Sequence, residues 1–149
     1  MKLEQLQTYA DTVAAAGASA GQQQAVLAII DHMGFKANLA GHQVLSLEGQ
    51  LVQDADRIDA LGAIGIARAF MYGGAHGSKM YDPALPPRQQ LDAASYRHGE
   101  TTVLNHFEEK LFKLAAQMNT PAGKKVAAQR TAVMRRFVTE FLAEFDGKA

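Results

Sequence analysis

Apolar residues recur every three or four positions along most of this 149-residue sequence, which is the spacing of a buried helical stripe. The clearest stripe consists of Leu104, Phe107, Leu111, Leu114 and Met118. No segment alternates apolar and polar residues over the length of a strand. The sequence therefore predicts an all-α fold, a bundle of about five to six helices.

Residues with known capping preferences divide this pattern into helices. Ser19, Ser46 and Thr120 stand at predicted N-caps, and Gly17 and Gly34 stand where helices are expected to stop. The helix after Ser19 is predicted to bury Val26, Leu27, Ile30 and Met33. We expect one domain over residues 1–149, with one long Gly- and Pro-rich loop over residues 73–100.

The segment 47–72 is helical in pattern and contains no proline. Its predicted buried stripe consists of Leu51, Ala55, Ile58 and Leu61. Gly62 and Gly65 interrupt the pattern, and each costs about 1 kcal/mol of helix stability relative to alanine. Two interpretations follow: another backbone packs closely at the glycines, or the helix breaks near Gly62.

Charge and composition exclude several classes of protein. Fifteen basic residues balance fifteen acidic ones, so no excess of positive charge favours a nucleic-acid coat. The sequence has no cysteine, which excludes disulfides and zinc-thiolate sites. No apolar run approaches the length of a membrane span. These features predict a cytoplasmic protein that does not enter the membrane.

Three carboxylates occur close together at Asp54, Asp56 and Asp59. On a helix Asp56 and Asp59 are neighbours, whereas Asp54 points elsewhere. One interpretation is a solvated acidic face that Arg57 neutralises. The other is that one carboxylate faces inward, where it requires a cation or a hard divalent metal ion as partner.

Three strings then show a resemblance: VQDADRIDALGAIGIARAFMYGGAHG, NHFEEKLFKLAAQMNT and TAVMRRFVTEFLAEF. Together they resemble the C-terminal portion of small bacterial HD-superfamily metal-dependent phosphohydrolases. The resemblance implies an all-helical core that hydrolyses nucleotides or related phosphate esters. It also implies a divalent metal (Mn, Mg, Ni or Fe) held by a histidine, a His-Asp doublet and a later aspartate. That aspartate corresponds to Asp56 in this sequence.

The sequence departs from this pattern because it contains no His-Asp doublet. Its five histidines are His32, His42, His76, His98 and His106, and none precedes an aspartate. One carboxylate does not retain a divalent ion against water. We therefore expect a truncated or degenerate homologue with weak or no metal binding, inactive as this chain alone. The alternative is a non-catalytic helical binding or interaction module.

Several polar residues are candidate substrate contacts. Asp59 lies beside Asp56, and Arg68 either binds phosphate or forms a structural ion pair. His32 either contacts substrate or only complements the end of its helix. Lys79 and Arg88 form part of a substrate lid or of the solvated surface. His106 is interpreted as a packing or hydrogen-bonding residue. Apolar helix faces without cover predict a homodimer or a complementing fragment as partner.

Overall fold

The computed structural model describes residues 3–35, 44–89 and 100–148, without the side chains of residues 3–6. It divides into two compact units, Met1–Gln53 and Asp54–Ala149. The elements are α1 (Leu3–Ala15), α2 (Ala20–His32), α3 (Leu47–Asp59), α4 (Gly62–Ala75), α5 (Val103–His106), a π-helical turn (Phe107–Leu111), α6 (Phe112–Leu114), a 3-10 turn (Ala115–Gln117) and α7 (Pro121–Phe145). All regular elements within these ranges are helical, which confirms the predicted fold class. His42, His98 and part of the predicted loop lie outside the described residues.

In the first unit, the predicted caps are confirmed. The hydroxyl of Ser19 accepts from the backbone N–H of Gln22, and the Gln22 side chain accepts in return from the Ser19 backbone N–H at 2.9 Å. Gly17 has a φ of +80°, as a left-handed helix stop requires. The Ser46 hydroxyl accepts from the backbone N–H of Gly49 at 3.2 Å. These contacts fix where α2 and α3 begin.

The predicted burial of α2 is only partly right. None of its residues is fully buried, and the predicted stripe is half-buried. The physical reason is that α2 packs mainly against α1 within its unit, and a pair of short helices covers only part of each apolar stripe.

In the second unit, the chain breaks between α3 and α4, so the second interpretation of the glycines is correct. Gly62 has a φ of +80°, a conformation that favours glycine, and Leu61 before it is fully buried. A Cβ at Gly65 would overlap the carbonyl oxygen of Ala60. Gly62 therefore accommodates the break, and the backbone that packs closely at Gly65 is that of Ala60, in the turn before α4.

The core of the second unit is built on the stripe that the sequence shows most clearly. Leu104, Phe107, Leu111, Leu114 and Met118 are all buried, as predicted. Phe107 packs in an aromatic cluster with Phe70, Phe112, Phe137 and Phe141. The cluster joins α4, the π-helical turn, α6 and α7. It thereby positions the faces of α4 and of the π-helical turn that carry the candidate site.

Helix α7 begins as predicted, with the hydroxyl of Thr120 accepting from the backbone N–H of Gly123 at 3.0 Å and Pro121 at the first helical position. In the part of the chain that the structure describes, no helix is long and apolar enough to cross a membrane.

Candidate functional site

The buried face of α3 is polar, which the apolar pattern did not predict. Leu51 and Ala55 of the predicted stripe are exposed. Gln53, Asp54 and Arg57 are buried instead, each no more than 3% exposed. Gln53 and Asp54 lie four and three residues before Arg57, so both share its helix face. The expected stripe is therefore wrong at its first two positions, because hydrogen bonds outweigh hydrophobicity in the orientation of this helix.

Asp54 is the carboxylate that faces inward. Its Oδ1 accepts from the backbone N–H and the side-chain amide of Asn119, at 2.8 and 2.9 Å. Its Oδ2 accepts from the backbone N–H of Thr120 at 2.9 Å and from the Thr120 hydroxyl at 2.7 Å. Burial by itself raises the pKa of the Asp54 carboxyl, but these donors outweigh it and hold the pKa below its usual value. The inward carboxylate is thus stabilised by neutral N–H and O–H groups, and Asp54 ties α3 to the start of α7.

Arg57 also faces inward and donates from Nη1 to the backbone carbonyl of Gln117. Burial lowers the pKa of the Arg57 guanidinium, whereas the charges of Asp54 and Asp56 oppose this change. Asp56 and Asp59 are exposed, as a solvated acidic face requires, whereas Asp54 faces inward, as the second interpretation expects.

Asp56, the predicted metal ligand, is exposed on α3. Within the described ranges its carboxylate makes no hydrogen bond or salt bridge. The same ranges contain no group of three or more His, Cys, Asp or Glu residues placed to hold a metal ion. The described residues alone therefore do not fit a divalent metal centre, although the Asp56 carboxylate is available as one ligand.

A cleft of about 850 Å³ lies within the second unit. Its lining comes from α4, from the segment that follows it, and from residues 100–111. Three of the predicted substrate contacts, Arg68, Lys79 and Arg88, lie along this cleft. Asp59 is bound to Arg68 at its edge. The volume falls within the range of small-molecule sites in proteins.

Each of these three cations has an acidic partner. Arg68 pairs with Asp59, nine residues away, because the break after α3 turns the two helices toward each other. Lys79 pairs with Asp82 at 2.7 Å. The side chains of Arg68 and Lys79 are 53% and 63% exposed, so both retain N–H donors that face solvent.

Arg88 is held much more firmly than the other two cations. Its Nε and Nη2 donate to the two carboxylate oxygens of Glu109, at 2.9 and 2.6 Å, and its backbone N–H donates to the same carboxylate. Glu109 is 1% exposed. Burial raises the pKa of the Glu109 carboxyl, but the hydrogen bonds from Arg88 outweigh it and keep the pKa low. Arg88 thus lines the cleft with its guanidinium bound to a buried carboxylate.

His106 lies beside this ion pair and also lines the cleft. Burial, followed by the charge of Lys110, lowers its pKa to about 4. The imidazole is therefore neutral at pH 7, with one nitrogen that donates and one that accepts. It precedes the π-helical turn Phe107–Leu111, and turns of this kind occur frequently at functional sites.

Two cleft residues were missed by sequence reasoning. Tyr72 on α4 and His76, the residue that follows this helix, are stacked, with ring centroids 3.9 Å apart and an interplanar angle of 21°. Their spacing of four residues places them on one helix face with Arg68, and that spacing is the signal that would have found them. His32 lies elsewhere, at the end of α2 in the first unit, where its Nδ1 donates to the Ala28 carbonyl at 2.7 Å.

Comparison with known proteins shows which solved structures this chain resembles. No family model matches the sequence. A solved protein of Lactobacillus plantarum is 55% identical, with a TM-score of 0.87 over 95% of this chain. An HD-superfamily hydrolase of Bacillus thuringiensis is 42% identical, with a TM-score of 0.66 over 95% of this chain. The chain covers 66% and 62% of those two proteins. The fold is thus similar to that of an HD-superfamily hydrolase.

A curated relative is the uncharacterized protein YpgQ of Bacillus subtilis. It is 37% identical over 123 residues, which are 82% of this chain and 52% of YpgQ. A crystal structure of YpgQ in complex with ADP aligns with a TM-score of 0.69 and 30% identity, and this chain covers 60% of it. The chain therefore spans about half to two thirds of the length of these relatives.

Proposed function

We propose that this chain is part of an HD-superfamily phosphohydrolase and that its cleft binds the phosphate groups of a nucleotide or a related phosphate ester. The observation that carries the proposal is the position of Arg68 and Lys79 along one cleft, where both keep solvent-facing donors. Guanidinium and ammonium groups recognise phosphate through charge-assisted hydrogen bonds. The similarity to an HD-superfamily hydrolase, and the solved complex of YpgQ with ADP, support the same class of ligand.

The ion pairs of the cleft fit this proposal. Asp59 and Asp82 hold Arg68 and Lys79 in place in the absence of ligand. An arriving phosphate shares these cations with the carboxylates, and the remaining donors give it a place to bind. The pair of Arg88 and Glu109 stabilises one wall of the cleft, because it joins Arg88 to the π-helical turn Phe107–Leu111.

Within this proposal Asp56 supplies one ligand to a divalent metal ion. The described residues do not complete such a site. No step of the reaction is assigned to the described residues, and their proposed part is to bind and orient the phosphate.

Binding measurements test the phosphate site directly. By titration calorimetry, ADP and inorganic pyrophosphate are expected to bind the wild-type chain. Arg68→Ala and Lys79→Ala are each expected to bind about 5- to 30-fold more weakly, because each loses a charged donor. Lys113→Ala, at an exposed position outside the cleft, is the matched control. A wild-type chain that binds neither ligand at millimolar concentration, or a control that weakens binding equally, would contradict the proposal.

The metal dependence needs a separate assay. Phosphatase activity toward nucleotides is measured with and without added Mn²⁺, and Asp56→Ala is compared with wild type. Any activity of the intact protein is expected to need the metal and the Asp56 carboxylate. Equal hydrolysis by Asp56→Ala would refute its role as a ligand.

A second candidate function rests on exposed apolar side chains of α4. Ile64 and Met71 are 70% and 76% exposed and lie seven residues apart on one face. They support the proposal that the chain associates with a second copy or a complementing fragment. Sedimentation of wild type and of Ile64→Lys tests this, and a monomer at all concentrations in both would refute it.

A further inference from the structure

Tyr72 of α4 and His76, which directly follows this helix, form an aromatic pair in the cleft beside the cation Arg68. Arg68, Tyr72 and His76 follow at intervals of four residues, and all three line the cleft. One such interval advances about 6 Å along the helix axis. A ligand whose charged group contacts Arg68 is therefore within reach of the Tyr72 ring.

The geometry leaves one face of the tyrosine ring open. The His76 ring lies parallel to one face of Tyr72, at 3.9 Å between centroids. His76 Nδ1 is 2.8 Å from the Tyr72 carbonyl oxygen, which can only accept, so Nδ1 donates and the imidazole is fixed in this orientation. Tyr72 as a residue is 65% exposed. The ring is thus supported on one side and accessible to a ligand on the other.

We propose that the open face of Tyr72, backed by His76, is a stacking platform for the planar aromatic base of a nucleotide. This inference rests on the proposed phosphate site, and it names the ligand class of that site more narrowly. Stacking gives the cleft a preference for nucleotides over phosphate esters without an aromatic ring. It sets no strong preference among bases, because every base presents a π-face.

The sequence makes the stacking observable. The chain has four tyrosines and no tryptophan, so tyrosine emission is measured without interference. We expect ADP to quench part of this emission in the wild-type chain and pyrophosphate to leave it unchanged. In Tyr72→Phe the quenching is lost, whereas the affinity for ADP is kept because phenylalanine preserves the stacking surface.

Affinity provides the second readout. Tyr72→Ala is expected to bind ADP about 5- to 30-fold more weakly and pyrophosphate with unchanged affinity. Tyr9→Ala is the matched control, because Tyr9 is an exposed tyrosine that does not line the cleft. His76→Ala is expected to weaken ADP binding less than Tyr72→Ala does, since it removes only the support of the ring.

The outcomes separate this inference from the function on which it rests. If the wild-type chain binds ADP but Tyr72→Ala binds it equally well, the platform is refuted and the phosphate site stands. If Tyr72→Ala weakens ADP and pyrophosphate equally, Tyr72 only supports the fold of the cleft, and the platform is again refuted. If the wild-type chain binds neither ligand, the proposed function itself fails.

Discussion

Replacing Asp54 by alanine is expected to lower the free energy of unfolding by about 2–6 kcal/mol. The buried carboxylate accepts four hydrogen bonds, two from backbone N–H groups and two from side chains of Asn119 and Thr120. The two side chains can turn toward other partners, but the backbone N–H groups cannot. Each buried donor left without an acceptor costs about 1–3 kcal/mol, which gives the expected range.

Urea unfolding followed by circular dichroism measures this loss. For a slope of about 2 kcal/mol per molar urea, the midpoint is expected to fall by about 1–3 M. Asp56→Ala is the matched control, because it removes an exposed carboxylate from the same helix two positions away and should change stability by less than about 0.5 kcal/mol. Asp54→Asn serves as a second variant if Asp54→Ala does not fold. A loss below about 1 kcal/mol in both Asp54 variants would refute the reasoning.

The same carboxylate predicts a dependence on pH. Its pKa is lowered in the folded state from the usual 3.8. The contribution of the Asp54 carboxylate to the free energy of unfolding is therefore fully present above pH 3.8, and it is lost as the pH falls through the pKa of the folded state. The difference in stability between wild type and Asp54→Ala is expected to be constant near neutral pH and to shrink in acid. A difference in stability that grows in acid would show that the pKa of Asp54 is raised on folding, not lowered.

Three further predictions concern the second unit. Glu109→Gln is expected to destabilise the fold by about 3–5 kcal/mol, because it leaves the half-buried charge of Arg88 without its carboxylate. Asp82→Asn, which removes the carboxylate of a more exposed pair, should cost less than about 1 kcal/mol in the same urea assay. His106, with a pKa of about 4, should remain neutral from pH 8 down to pH 5 in an NMR titration, and a signal that titrates near pH 6.5 would contradict this. The free energy of unfolding should fall between pH 6.5 and pH 4, because in this range only the unfolded state takes up the proton. Gly62→Ala is expected to cost about 1–2 kcal/mol because its φ of +80° is unfavourable for alanine, and an unchanged thermal midpoint would refute the explanation of the break.

Local rules predicted the helices well. The caps at Ser19, Ser46 and Thr120 are confirmed because capping depends on residues within one helical turn. The stripe from Leu104 to Met118 is confirmed because its apolar side chains have no polar competitor on the same face. The stripe through Leu51 failed because Gln53, Asp54 and Arg57 have partners that the helix pattern does not contain.

The candidate site was predicted less completely, for a related reason. Arg68, Lys79 and Arg88 were chosen for their charge, and the structure places all three along one cleft. Their acidic partners, however, are tertiary or turn contacts; Arg88 and Glu109 are 21 residues apart. The Tyr72 and His76 pair was missed because an exposed aromatic residue carries no pattern of burial.

The polar anchor of α3 also limits how this sequence can change during evolution. An apolar contact tolerates gradual exchange, since each intermediate side chain still fills space. Asp54 does not, because an apolar replacement leaves the donors at Asn119 and Thr120 unsatisfied, and a larger residue than Gly123 would overlap the carboxylate. An apolar version of this contact is accessible only by changing several residues together. Among related sequences, position 54 and positions 119, 120 and 123 are therefore expected to vary as a group.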